Sequence, residues 1–191
     1  MAELTLDPKT TALILIDLQH GIIALPVKPY SGPEVAERGS KLAAAFRAAG
    51  STVAYVRVDM ADILHLPADQ QMRDPNAPPP PAIASQLAPE SGYQEGDLLI
   101  TKRQWGAFYD TGLDQQLRRR GIRTIVICGI ATNIGVESTA RAAFDMGYAL
   151  VFVEDAMATI SAEAHEFSIK GIFTRMGRVR SLNEVVAALG Q

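Results

Sequence analysis

Cysteine is nearly missing from this chain. Cys128 stands alone, so no internal disulfide can close and no thiolate metal cluster can form within one copy. A reducing, cytoplasmic setting is the expectation. Long apolar runs are absent as well: nothing approaches the ~20 residues that a membrane-spanning helix needs. The opening Met1-Ala-Glu-Leu-Thr-Leu-Asp-Pro carries acids and a proline where a secretory signal would be basic and then apolar. Positive charge is in short supply, 18 Lys and Arg against 21 Asp and Glu for a formal charge of −3. Without a basic excess to displace counterions, nucleic acid is not an expected partner. Histidine occurs only as His20, His65 and His165, far apart in the chain. A first-row metal site generally needs three or four converging ligands, so neither a metal nor another cofactor is expected.

What the chain does have is apolar residues, 48% of its 191, enough for one globular domain spanning residues 1–191. Short Val/Ile/Leu runs alternate with helical stretches. The runs are apolar at consecutive positions, as strands covered by helices on both faces should be. They predict strands at Thr11–Ile16, Thr52–Val58, Asp97–Thr101, Thr124–Cys128 and Ala149–Val153, with a short sixth around Arg178–Arg180. Between the first two, Pro33–Ala49 reads as a helix with Val35, Leu42 and Phe46 on one stripe and Gly50 as its stop. A helix over Thr111–Arg120 ends at Gly121, and Arg118–Arg120 complement its dipole as a solvated face. Thr132 or Asn133 is expected to cap a helix that stops at Gly147. Ser161 opens another, and Ser181 with Glu184 forms a capping box for the last. The fold class is therefore α/β: a three-layer α/β/α sandwich around a parallel sheet of five to six strands. The connection Asp59–Gly96, with its prolines at 78–81, is long for a compact domain and reads as a lid or an interface.

In open parallel sheets ligands bind at the C-terminal ends of the strands. Asp17 and Lys102 both fall at such ends. Alone they would read as a structural ion pair, since such pairs also perturb pKa values. Two more features bear on them. Gln19 puts an amide two residues beyond Asp17. The segment Cys128-Gly-Ile-Ala-Thr-Asn-Ile-Gly135-Val-Glu-Ser-Thr-Ala-Arg runs from strand through turn into helix, where unpaired N–H groups suit an anion. The alternative reading is that these glycines merely permit close packing.

The run Leu15-Ile-Asp17-Leu-Gln19, then Lys102, then Gly129-Ile-Ala-Thr-Asn-Ile-Gly135-Val-Glu-Ser-Thr-Ala-Arg and Ala142-Ala-Phe-Asp-Met-Gly-Tyr148 resembles the isochorismatase-like hydrolases. The likeness extends from about Thr10 to the last helix, and its ordered combination is more specific than any one motif. Most of that family implies an Asp, a Lys and a nucleophilic Cys acting together in covalent amide hydrolysis. Asp17 and Lys102 match the first two positions, and Gly135 stands at the third. Cys128, inside an apolar strand, is expected to be a buried small hydrophobe and not a replacement nucleophile. The resemblance also implies a cis peptide at Ile130–Ala131 and self-association as a dimer or tetramer.

Isochorismatases in the family share the Gly and hydrolyse a vinyl ether without a covalent intermediate. Resemblance to them implies Asp17 as acid or base, Lys102 orienting it, and the turn holding a substrate anion. They carry an aromatic residue and a histidine where this chain has Ala131 and Asn133, a departure that bears on the substrate. Gln19, His20, Trp105, Ala131 and Asn133 are the expected substrate contacts, with Tyr109 as a further pocket lining and Phe108 either lining the pocket or packing the core. Nicotinamidases of the family have an Asp-x-His pair after strand two; Asp59-Met60-Ala61 lacks that His, leaving His65 isolated. His165 is expected on an exposed helix face. The leading expectation is a noncovalent hydrolase of a small molecule. The alternatives are a catalytically silent module binding a small molecule or partner, and an amide hydrolase of nicotinamidase or N-carbamoyl type. No membrane partner is expected.

Overall fold

A computed structural model describes residues 4–71, 73–74 and 76–190 of the chain. Its sheet has six strands, all parallel: β1 (Thr11–Ile16), β2 (Thr52–Val58), β3 (Leu98–Lys102), β4 (Thr124–Ile130), β5 (Ala149–Ala158) and β6 (Gly177–Arg180). Their order is β3-β2-β1-β4-β5-β6. The chain leaves β1 for β2 on one side and later returns to place β4 on the other. The strand order therefore reverses between β1 and β4, the crevice where open α/β sheets bind ligands. Every residue of β1 is buried, which explains the unbroken apolar run in its sequence.

The helices are α1 (His20–Ile23), α2 (Gly32–Ala48), α3 (Leu113–Arg119), α4 (Glu137–Asp145), α5 (Ala162–Phe167), α6 (Thr174–Met176) and α7 (Leu182–Ala188). Both α2 and α7 start in capping boxes. The Ser31 hydroxyl accepts the Glu34 N–H while the Glu34 carboxylate accepts the Ser31 N–H, and Ser181 and Glu184 repeat the arrangement. One face of the sheet packs on α2 and α7, with Leu13, Leu15, Tyr55 and Val126 against Val35, Leu42, Phe46 and Val185. The other face packs on α3 and α4, with Ile14, Ile16, Val56 and Ile127 against Leu113, Leu117, Ala140 and Ala143. These are the three layers of the predicted sandwich.

The differences from expectation lie at element ends. Strand β5 does not stop before Glu154-Asp155 but continues to Ala158, with its pairing to β4 shifting register between Ile127 and Gly129. Asp155 is held there by its partners: its carboxylate accepts the Leu182 N–H at 2.7 Å and its carbonyl accepts Arg38 Nη1 at 2.5 Å. The 59–96 connection folds back on the sheet through two short 3₁₀ turns, Ala82–Ser85 and Pro89–Ser91. Among the described residues no helix is long and apolar enough to cross a membrane.

Candidate active site

Asp17 follows the last residue of β1 and adopts φ 55°, a left-handed conformation that Asp tolerates better than most residues and that tends to mark functional positions. Its N–H donates to Val56 O at 2.8 Å. The turn aims the carboxylate across the sheet edge at Lys102, the last residue of β3. Lys102 Nζ lies 2.8 Å from Asp17 Oδ2 and donates to the Trp105 carbonyl at 2.6 Å. Asp17 is 6% exposed and Lys102 2%. Asp17 Oδ1, although buried, has no hydrogen-bond partner among the described residues. Desolvation by burial raises the Asp17 pKa above the usual carboxylate range, outweighing the attraction of the Lys102 ammonium and its hydrogen bond.

Beyond β4 the chain makes a π-helical turn, Thr132–Val136, that runs directly into α4. It begins after a cis peptide at Ile130–Ala131. Gly129 has φ 122°, and a Cβ there would come within 2.2 Å of Ile16 O, so only glycine lets the end of β4 lie this close to β1. That approach delivers Gly135 to the ion pair. A methyl group on Gly135 would sit 3.1 Å from Lys102 Nζ, 3.2 Å from Asp17 Oδ2 and 3.1 Å from Ile16 Cγ2. Two residues at strand ends and one on the turn beyond β4 thus meet at one point.

This strand order, and an Asp, a Lys and a Gly-bearing turn at the switch point, accompany a sequence whose residues 11–184 match the isochorismatase domain. The chain belongs to the isochorismatase-like hydrolase family. It is 49% identical to YecD of Escherichia coli O157:H7, an uncharacterized isochorismatase family protein, over 97% of this chain and 100% of that one. The structure of an isochorismatase family protein from Burkholderia thailandensis superposes with a TM-score of 0.91 at 46% identity, covering 100% of both chains. A ureidoacrylate amidohydrolase, RutB of Pseudomonas syringae pv. syringae, is 29% identical over 95% of this chain and 84% of its own.

Within this isochorismatase-type framework the other expected site residues separate into groups. Gln19 is fully buried and committed: its Nε2 donates to Val58 O at 3.0 Å and Ala84 O at 2.9 Å, and its Oε1 accepts the Val58 N–H at 2.8 Å. Its amide clips the 59–96 connection to the sheet, which corrects the expected role in substrate contact. His20 opens α1 half-buried, its N–H on Gln86 O at 3.0 Å. Trp105 is 53% exposed and gives its carbonyl to Lys102. Tyr109 is exposed, whereas Phe108 is buried against Tyr148 with ring centroids 6.0 Å apart, so of the two readings for Phe108 the core one holds. Ala131 is half-buried, and its carbonyl accepts the N–H groups of Ile134 and Val136, both at 3.1 Å.

Neither Thr132 nor Asn133 caps the following helix, as had been expected; the π turn begins instead at the extended Ala131, without a side-chain cap. Both side chains are used across the chain. Asn133 Oδ1 accepts the Thr159 hydroxyl at 2.6 Å. Thr132 Oγ1 lies 2.9 Å from His165 Nδ1, and both residues are buried. His165 is therefore not on an exposed face, and burial lowers its pKa below the usual imidazole value. Sequence reading also missed Thr139, whose hydroxyl accepts the Ala107 N–H at 3.0 Å and donates to Gly135 O at 2.7 Å. It ties the loop after Lys102 to the Gly135 turn. Nothing in a helical threonine announces such a role.

Cys128 is fully buried within β4, and desolvation pushes its thiol well above the usual range, which leaves it without nucleophilic character. Among the described residues no group of three or more His, Cys, Asp or Glu is placed to hold a metal ion, and His65 is exposed.

Proposed function

We propose that this protein hydrolyses a small molecule by acid–base chemistry, without a covalent intermediate. The observation that carries the reading is the state of Asp17: a buried carboxyl of raised pKa with one oxygen on Lys102 and the other without a partner among the described residues. Such a group holds a proton more readily than an exposed acid and can pass it to a substrate. Gly135 stands where most of the family has a nucleophilic cysteine, and with no side chain it attacks nothing. For an enol ether, Asp17 protonates the terminal carbon. Water then adds to the resulting oxocarbenium, and the hemiketal breaks to an alcohol and a ketone as the proton returns to Asp17. Lys102 fixes the carboxyl and limits how far burial raises its pKa. The Thr132–Val136 turn supplies N–H groups for a substrate anion, with His20, Trp105, Ala131 and Asn133 at its margin.

Screening the wild type against isochorismate, other enol ethers, nicotinamide and N-carbamoyl compounds tests this, with Asp17→Ala and Gly135→Cys in parallel. Turnover by the wild type that vanishes in Asp17→Ala supports the proposal. A silent wild type together with amidase activity in Gly135→Cys overturns it in favour of a disarmed binding module. That second reading draws on the near-complete sealing of Asp17 and Lys102 from solvent. An amidase reading draws on the similarity to RutB, but neither Gly135 nor the buried Cys128 offers a nucleophile for it. We also propose that the protein self-associates, in keeping with the exposure of Leu64, Leu66, Trp105 and Tyr109; light scattering that finds only monomer at micromolar concentration refutes this.

A further inference from the structure

Beside the C-terminal ends of β2 and β3 a cavity of about 290 Å³ is lined by Arg57, Asp59, Ser85, Thr101, Pro80 and Pro81, among others. Arg57 and Thr101 face each other across the two strands. Strand alternation turns both toward the side of α2, with Val53 and Tyr55, whereas Ile100 and Lys102 turn toward α3 and α4. The cavity therefore lies on the sheet face opposite the Lys102 side chain, and the acid–base reading does not use it.

Its two charged groups are both incompletely engaged. Arg57 Nε donates to Thr101 Oγ1 at 3.0 Å, and its two Nη groups have no partner among the described residues. Asp59 Oδ1 accepts the Ala61 N–H at 3.2 Å, and its other carboxylate oxygen has no partner among the described residues. Both residues are half-buried, yet no salt bridge joins them. A simple anion would gain from Arg57 and lose from Asp59. A ligand carrying both signs satisfies each.

From this arrangement we infer that the cavity binds a small zwitterion of the amino-acid type, its carboxylate on the Arg57 fork and its ammonium on Asp59. A guanidinium whose Nε is already fixed presents its Nη groups in a set plane, the geometry that suits a carboxylate. Pro80 and Pro81 offer no N–H and form an apolar wall for a short methylene linker. The volume sits at the lower end of ligand pockets, which matches a metabolite of a few heavy atoms. The Asp59 N–H donates to Lys102 O at 2.9 Å, so the occupant lies next to the backbone that carries Lys102.

The test is an NMR titration of the isotopically labelled full chain with glycine, β-alanine and 4-aminobutyrate, and with acetate, methylammonium and inorganic phosphate as controls. The expected result is saturable shifts at the amides of Arg57, Asp59, Ser85 and Thr101 with at least one amino acid. Acetate and methylammonium should bind about tenfold more weakly, and Arg57→Gln and Asp59→Asn should each weaken binding about tenfold, the scale of one charge-assisted contact. Arg57→Lys, which keeps the charge and loses the fork, serves if Arg57→Gln does not fold, with a smaller loss expected. Absence of saturable shifts, shifts centred on Gly135 instead, or equal binding of acetate or phosphate overturns the inference.

Discussion

Replacing Gly135 by alanine inserts one methyl group at the point where the ion pair, Ile16 and the turn converge. The new carbon would lie 3.1 Å from Lys102 Nζ, 3.2 Å from Asp17 Oδ2 and 3.1 Å from Ile16 Cγ2, each closer than ordinary van der Waals contact. Gly135 is not among the residues of positive φ, so backbone strain does not enter. In a helical turn alanine is favoured over glycine by roughly 0.5–1 kcal/mol. Against this, overpacking a filled site costs roughly 1–3 kcal/mol. With three neighbours required to yield at once, two of them joined to each other at 2.8 Å, the steric cost should win. The expected net loss is about 1–2 kcal/mol, seen as a fall in Tm of roughly 2–8 °C for a chain of this size. Asp17→Ala removes the carboxylate and lets Lys102 move, so Gly135→Ala should be less damaging in that background, with a coupling of about 1 kcal/mol in a double-mutant cycle. A Gly135→Ala protein more stable than wild type, or a coupling of zero, would show that the pair is not held against this turn.

Further predictions concern titration and access. Because burial raises Asp17 in the folded state above its ordinary carboxylate value of 3.8, its contribution to stability is complete below that value and is lost as pH rises through the elevated folded pKa; Asp17→Asn should remove this dependence from a series of denaturation curves. Removing either partner alone is costly at neutral pH, where Asp17→Ala leaves Lys102 buried and unpaired at a cost of about 3–5 kcal/mol, measurable by urea unfolding. His165 has the opposite sign: depressed below 6.5, it contributes stability above that pH that is lost on acidification, and His165→Gln should flatten Tm against pH in this range. Cys128, fully buried in a central strand, should react with thiol reagents only at the rate of global unfolding; rapid labelling of the native protein would contradict its placement.

The sheet was legible because its strands are buried on both faces and write themselves as unbroken apolar runs, of which Thr11–Ile16 is the clearest. Asp17 and Lys102 could be singled out since a charge that ends such a run has few places to go except the ligand-binding edge. Their meeting with Gly135 came from the family likeness rather than from periodicity. What could not be read depended on partners remote in sequence. His165 resembles any polar residue of a short helix until Thr132, 33 positions earlier, is brought to its ring. Gln19, next to the site in sequence, had the chemistry to contact a substrate, but Val58 and Ala84 absorb both its donors. The extension of β5 past Glu154 and Asp155 is hidden in the same way, since Arg38 and the start of α7 supply the partners that two acids in a strand require.

These remote contacts divide the site into a fixed part and an adjustable one. Asp17, Lys102 and Gly135 sit at strand ends or on a turn packed against them, and Thr139 bonds the Lys102 loop to the Gly135 carbonyl, so each is located by the sheet itself. The acid–base role proposed for Asp17 would benefit from such fixation, because misplacement of a reacting group weakens proton transfer. Trp105 and Tyr109 belong instead to the loop after β3, with their rings exposed, and Asn133 is held only through Thr159. Substitutions there alter what surrounds a bound molecule without disturbing the ion pair. On the acid–base proposal, the buried pair would carry the reaction, while the loops that follow the strands would shape what binds beside it.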